Sequence, residues 1–155
     1  MIVLAVVAFA VMEPVTAATH RFVMHGVGGR LHRSHHRPSH RGPELNDAYP
    51  LLFAGVVCGA LWVGFHDPRW SELVPIGVGV TAYGAAYAAV HDVYIHRRVR
   101  WFGDRRCGWI DHLAAAHAVH HRSGGPPYGM LVPIVPRHLR AERSRPQRIA
   151  SVPRA

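Results

Sequence analysis

Three stretches of this chain are apolar almost without interruption, and histidine-rich polar segments lie between and after them. Residues 1–19 carry a single charge, Glu13, with Pro14, Thr16 and Thr19 as the other departures. Residues 48–65 (AYPLLFAGVVCGALWVGF) and 73–90 (LVPIGVGVTAYGAAYAAV) carry no charge. A helix needs roughly 20 apolar residues, in a range of about 17–25, to cross a bilayer. The pattern predicts a helix over 1–25, a His-rich segment to about residue 47, a helix over 48–65, a turn over 66–72 and a helix over 73–96. A second His-rich segment over 97–125 and a tail rich in Arg and Pro follow. Met1–Thr19 lacks the basic start of a signal peptide and runs straight into histidines, so it reads as a retained span. The expected fold is all-α: an integral membrane helical bundle with a cytoplasmic, histidine-rich helical cap. A soluble bundle is the alternative, and uncharged runs of this length speak against it.

The turn over 66–72 is too short for anything but an antiparallel helix pair. Both His-rich segments therefore fall on one side of the membrane. Their flanks carry Arg21, Arg30, Arg33, Arg37 and Arg41, then Arg97, Arg98, Arg100, Arg105 and Arg106, whereas the opposite turn offers Arg69 beside Asp67 and Glu72. The positive-inside rule assigns the histidine side to the cytoplasm of a bacterial cell. Pro126–Pro136 is apolar, too short to span and interrupted by proline, which suits an interfacial segment or a cover over the substrate mouth. The expected division is a membrane domain over 1–135 and a disordered tail over 136–155 that touches anionic lipid.

Composition changes this picture little. The formal charge of +9 comes from 18 arginines, no lysine and nine acids. Such a balance suggests nucleic acid, but the arginines sit between apolar spans and in the tail, so no nucleic-acid partner is expected. Cys58 and Cys107 form no CxxC, which argues against a disulfide framework and a thiolate zinc site.

The histidines carry the chemistry. Ten of the 14 fall in four clusters: His20/His25, His32/His35/His36, His91/His96 and His117/His120/His121. The order H-x4-H then H-x2-H-H occurs once in each half of the chain. Imidazole is the commonest metal-binding side chain, and ten exceed what one ion needs. On a helix, positions i, i+3 and i+4 share a face, so each trio is expected to converge on one small volume. H-x4-H differs, because five residues turn an ideal α-helix about 140° off a common face. Those pairs either serve different metals or require the helix to unwind. A two-metal centre under the helix ends accommodates both. His40, His66, His112 and His138 lie outside the clusters and are taken as non-ligands, with His40 and His112 in reserve.

Imidazole ligation suits Zn, Cu, Fe or Ni, and softness does not choose among them. No Glu-x-x-His pair is present, unlike soluble carboxylate-bridged di-iron bundles. Glu13, Asp92 and Asp111 lie near the clusters in sequence, where carboxylates can orient ligating imidazoles. An acid inside a membrane span is costly, which points to a role for Glu13. Gly77, Gly79, Gly84, Ala85, Ala86, Ala88 and Ala89 allow close helix packing or leave room for a substrate, and packing is the plainer role.

Together, Met12-Glu13, HRFVMHG (20–26), LHRSHH (31–36), Glu44 with Asn46-Asp47, TAYG (81–84), HDVYIHRR (91–98) and AHAVHH (116–121) resemble one family. They are similar to the bacterial β-carotene hydroxylases of the non-haem di-iron type, within the membrane fatty acid hydroxylase/sterol desaturase superfamily. The resemblance covers about residues 1–135, nearly all of the chain outside the tail. It implies two iron ions held by the ten clustered histidines, with Asp47 joining Glu13, Asp92 and Asp111 as supporting acids. It implies O2-dependent hydroxylation of carotenoid β-ionone rings, from β-carotene through β-cryptoxanthin to zeaxanthin. It implies electrons from outside, from reduced ferredoxin or a similar donor, and the lack of a dinucleotide fingerprint in the sequence is consistent with a separate donor. Two rivals stay open at this point: another lipid hydroxylase or desaturase of the superfamily, and a non-enzymatic membrane metal-binding protein.

Overall fold

The computed structural model describes residues 1–37, 43–99, 101, 105 and 107–144. Its regular elements are all helical among the described residues. Helix α1 (Ile2–Ala18) continues into a π-helical segment, Thr19–Val27, which is kinked at Gly26. Helix α2 (Gly29–His36) follows, then a 3-10 turn at Leu45–Asp47 and α3 (Ala48–His66). Helix α4 (Leu73–Ala88) also runs into a π-helical segment, Ala89–Ile95, and α5 (Gly108–Ser123) completes the set.

Three helical stretches are long and apolar enough to cross a membrane: Ile2–Val27, Leu45–His66 and Leu73–Ile95. Their outward side chains are apolar and open, as with Ile2 at 81% and Leu51 at 71% exposure. Among the described residues, the buried polar side chains are histidines, beside the hydroxyl-bearing rings of Tyr49 and Tyr83. This distribution is the inverse of a soluble bundle and fits a hydrocarbon surround with a polar centre.

The expected antiparallel pair is present. Asp67 ends α3 and its carboxylate accepts from the Arg69 N–H at 3.1 Å, with Pro68 opening the single turn that leads towards α4. Pro50 and Pro75 sit in the first turns of α3 and α4, where a missing N–H costs little. Helices α1 and α3 both pack on α4. In lipid such packing depends on close approach rather than on water exclusion. Gly79 provides it: a Cβ there would collide with the Ala5 carbonyl and stand 2.9 Å from the Ala8 methyl. Gly77 does the same against Leu61. Gly84 has open space before it and lines a cavity instead, so the small residues of α4 divide between the two expected roles.

Gly124, at φ +66, takes the left-handed conformation that suits a helix C-terminus, and its N–H donates to the His120 carbonyl at 2.8 Å. The chain then returns as a strap, residues 125–136, across the histidine end of the bundle. Met130 is buried with Val90 of the α4 extension and Leu113 of α5. The strap's residues are not among the cavity walls, and its Val132 and Ile134 side chains are exposed, as in the expected interfacial segment. Beyond it, Arg137–Leu139 and Ala141–Ser144 form turns, and Arg122 and Arg143 tie them to α5 by donating to the Glu142 and His112 carbonyls. Residues 145–155 of the expected tail and His40 lie outside the described residues.

Candidate metal centre

All ten clustered histidines meet at one end of the bundle. Their ring nitrogens form two groups. His20, His25, His32, His36 and His120 can each offer a nitrogen, all within 4.8 Å of one another. His35, His91, His96 and His117 form the second group within the same limit, and His121 joins it with its Nε2 3.1 Å from that of His35. We call these positions A and B.

The grouping meets one of the two alternatives for the H-x4-H pairs, that the helix unwinds, and departs from expectation for the trios. First, the H-x4-H pairs act together, because the helix changes pitch. Each π-helical segment closes with an i→i+5 hydrogen bond, from Gly28 N–H to the Val23 carbonyl at 2.8 Å across a kink at Gly26, and from His96 N–H to the His91 carbonyl at 2.9 Å. One such wide turn brings residue i+5 nearly over residue i, and π turns recur at functional sites. His20 and His25 thereby reach position A together, and His91 and His96 reach position B. Second, the trios split. His32 and His36, four apart, serve A, and His35 crosses to B. His117 and His121 serve B, and His120 crosses to A. Each half of the chain therefore lends its middle histidine to the other position.

Five of the ten rings have an oxygen against their outward nitrogen, which favours a proton there. His20 Nδ1 donates to the Tyr128 carbonyl at 3.0 Å and His120 Nδ1 to the Gly125 carbonyl at 2.6 Å. His32 Nδ1 donates to Asn46 Oδ1 at 2.7 Å. At position B, His35 Nδ1 donates to Glu44 Oε2 at 3.3 Å and His91 Nδ1 to Asp92 Oδ1 at 3.0 Å. Each acceptor lacks a proton to give, so a proton on Nδ1 is favoured in these five rings, with the Nε2 lone pair pointing inward. His20 and His32 then face each other lone pair to lone pair at 3.0 Å, and His35 and His91 do so at 3.1 Å. Two such acceptors repel unless a cation lies between them. A metal bonded to two imidazoles at roughly 2.1 Å and at right angles would space them by about 3.0 Å. The donor set fits a metal at each position.

Protonation agrees with this. Burial pushes His35, His96 and His120 down to about 3 and His36 to about 4, and neighbouring imidazoles add to the effect. His117 and His121 are lowered for the same reasons. The rings are neutral at pH 7, the form that binds metal.

The acids are distributed differently from the sequence expectation. Asp92 does touch an imidazole. Asp47 acts one step away: it pairs with Arg98 at 2.6 Å and accepts from the Glu44 N–H at 2.9 Å, which steadies Glu44 against His35. Asp111 accepts from Tyr94 OH at 2.8 Å. Glu13 binds Tyr83 and the strap instead of an imidazole. Glu44 and Asn46, known at first as motif letters, contact histidines directly, and the carbonyls of Gly125 and Tyr128 carried no sequence signal. His66 donates from Nδ1 to the Trp62 carbonyl at 2.7 Å, at the end of α3 beside the turn to α4, and His112 is exposed on α5.

An apolar cavity of about 490 Å³ lies between α1, α3 and α4. Met12, Phe53, Val57, Leu61 and Val80 are among its walls, and His91, Asp92, Asn46 and Asp47 lie at its polar end. A cavity of this size and composition suits a mostly apolar ligand with its reacting end at the histidines.

The structure is an apolar helical bundle, with three helices able to span a membrane, that gathers ten imidazoles at one end in groups able to hold metal ions. The fatty acid hydroxylase family model matches residues 5–140, and the chain belongs to that family. Its relatives are narrower in kind. It is 39% identical over 144 residues to the β-carotene hydroxylase of Pseudescherichia vulneris, covering 90% of this chain and 79% of that one. It is 38% identical over 114 residues to the β-carotene hydroxylase of Pantoea ananas, covering 74% and 64%. It is 35% identical over 120 residues to the chloroplastic β-carotene 3-hydroxylase 1 of Arabidopsis thaliana, covering 73% of this chain and 38% of the plant protein. No solved structure matches the chain.

Proposed function

We propose that this protein is a membrane hydroxylase of carotenoid β-rings, with iron at positions A and B. The carrying observation is the pair of imidazole groups gathered at the polar end of an apolar cavity. Bacterial and plant relatives named as β-carotene hydroxylases support the substrate class.

The ligands would be His20, His25, His32, His36 and His120 at one position and His35, His91, His96, His117 and His121 at the other. A ring C–H bond, O2, two electrons and two protons would give the C–OH group and one water. When bound, the iron pair supplies the O2 and redox chemistry that side chains lack. The chain's own part is to orient its imidazoles, exclude water and receive the ring. The apolar cavity walls admit a β-ring from the bilayer, and His91 and Asp92 mark where the reacting carbon would lie. Repetition on the second ring would carry β-carotene through β-cryptoxanthin to zeaxanthin. The electrons would come from a ferredoxin-type donor, reaching the histidine end from the cytoplasm, the side favoured by the flanking arginines.

The test is the pigment profile of a β-carotene-producing host that expresses the chain. Accumulation of zeaxanthin and β-cryptoxanthin is expected. Unchanged carotene with altered acyl chains would instead assign the protein to lipid modification. Metal analysis after anaerobic purification should find two irons per chain, and full activity with two zinc ions would overturn the redox reading.

A further inference from the structure

Glu13 is a carboxylate within the first apolar helix, where an acid without partners is costly. Its partners come from two directions. Oε2 accepts from Tyr83 OH at 2.6 Å and from the Leu131 N–H at 3.1 Å, and Oε1 accepts from the Val132 N–H at 2.9 Å. Tyr83 is buried on α4 and meets Phe9 of α1 edge to face, so this anchor joins both helices. Leu131 and Val132 belong to the strap.

The other end of the strap is on position A. The Gly125 carbonyl accepts from His120 Nδ1 and the Tyr128 carbonyl from His20 Nδ1. The Tyr128 ring also lies 5.6 Å, centre to centre, from the rings of His20, His25 and His120. Between the two ends, Gly129 leaves just enough room for the carboxylate, since a Cβ there would stand 2.6 Å from Glu13 Oε1. A few residues of backbone thus connect an acid in the bilayer to two imidazoles. Position B has a different support, because Glu44 and Asp92 orient His35 and His91.

We propose that Glu13 is a positioning residue for metal position A and acts through the strap. By holding the Leu131 and Val132 N–H groups it fixes the Tyr128 and Gly125 carbonyls against His20 and His120. Those carbonyls keep the proton on Nδ1 and the ring angle constant, which leaves Nε2 free for the metal. The proposal rests on the two-metal reading of the centre and is independent of the substrate.

The experiment uses the full chain in detergent, stripped of metal and titrated anaerobically with Fe(II). The unsubstituted protein should take two ions per chain, and uptake of fewer would overturn the proposal together with the two-metal reading. Glu13→Gln places an amide where the carboxylate accepted, and it should weaken one binding step by about tenfold or more with the other unchanged. Gly129→Ala pushes a methyl into the carboxylate and should weaken the same step. Tyr83→Phe removes one of the three hydrogen bonds and should shift that step less. Added to Asp92→Asn, Glu13→Gln should weaken both steps. Added to His120→Ala, it should change nothing further. Wild-type affinity at both steps in Glu13→Gln and Gly129→Ala would overturn the assignment. Equal weakening of both steps would also overturn it, because that signature belongs to general destabilisation. Circular dichroism checks the helix content, and if Glu13→Gln does not fold, Gly129→Ala and Tyr83→Phe decide by the same criteria. A wild-type protein that binds two irons and makes no xanthophyll would sink the carotenoid reading alone.

Discussion

Positions A and B are built from the same parts and supported by different ones. Each takes an i, i+5 pair from a π turn, an i, i+4 pair from an α-helix and one histidine from the other half of the chain. At A the outward nitrogens meet neutral oxygens, those of Tyr128, Gly125 and Asn46. At B they meet the carboxylates of Glu44 and Asp92. A carboxylate partner makes an imidazole a stronger donor, and charge-assisted bonds are roughly twice as strong as neutral ones. Duplicated ligand patterns therefore need not make equal sites. Position B carries its own electrostatic support, and position A borrows backbone from a strap.

The largest break in this symmetry would come from the crossed histidines. His35→Ala and His120→Ala should each reduce xanthophyll formation to background and remove one metal per chain, from B and A respectively. Pigment analysis and metal stoichiometry check this, and xanthophyll from the His120→Ala variant would sink the ligand assignment. Asp92→Asn keeps the shape and removes the charge, so position B should weaken by about 10–100-fold in metal affinity. Asn46→Ala removes a neutral acceptor at A and should cost less. If titrations gave the reverse order, the electrostatic contrast would be wrong.

Acid should loosen both positions together. In the unfolded chain these imidazoles protonate near 6.5, whereas burial holds His35, His96 and His120 near 3 in the folded one. The unfolded chain then binds more protons between those values. Stability of the metal-free protein should be complete above about pH 6.5 and should fall as pH drops towards about 3. Thermal melts across that range test the sign, and a metal-free protein that gains stability on acidification would contradict it. The smallest effect concerns the cavity. Gly84→Leu fills space beside α4 and should raise KM for the carotenoid several-fold with metal content unchanged.

Much of the fold was legible because its signals are local. The apolar runs, the short turn at Asp67-Pro68 and the helix starts all reside in contiguous residues. The ten histidines were legible as a set, since their spacing repeats. Their division was not, because a helical wheel assumes one pitch. The π turns at Thr19–Val27 and Ala89–Ile95 change that pitch. Glu13 illustrates the other limit. Its position seven residues before His20 suggested a direct role at an imidazole, yet its partners in the strap stand 118 and 119 residues away.

The sequence by itself determined the membrane-spanning helices, the clustered histidines and the family resemblance. Hydrophobic length, imidazole chemistry and motif spacing are properties of residues along the chain. Tertiary structure decided how the histidines group, which oxygens meet their outward nitrogens, and which partners the acid of α1 finds. These depend on contacts between distant segments, where helix pitch and the path of the strap set the geometry.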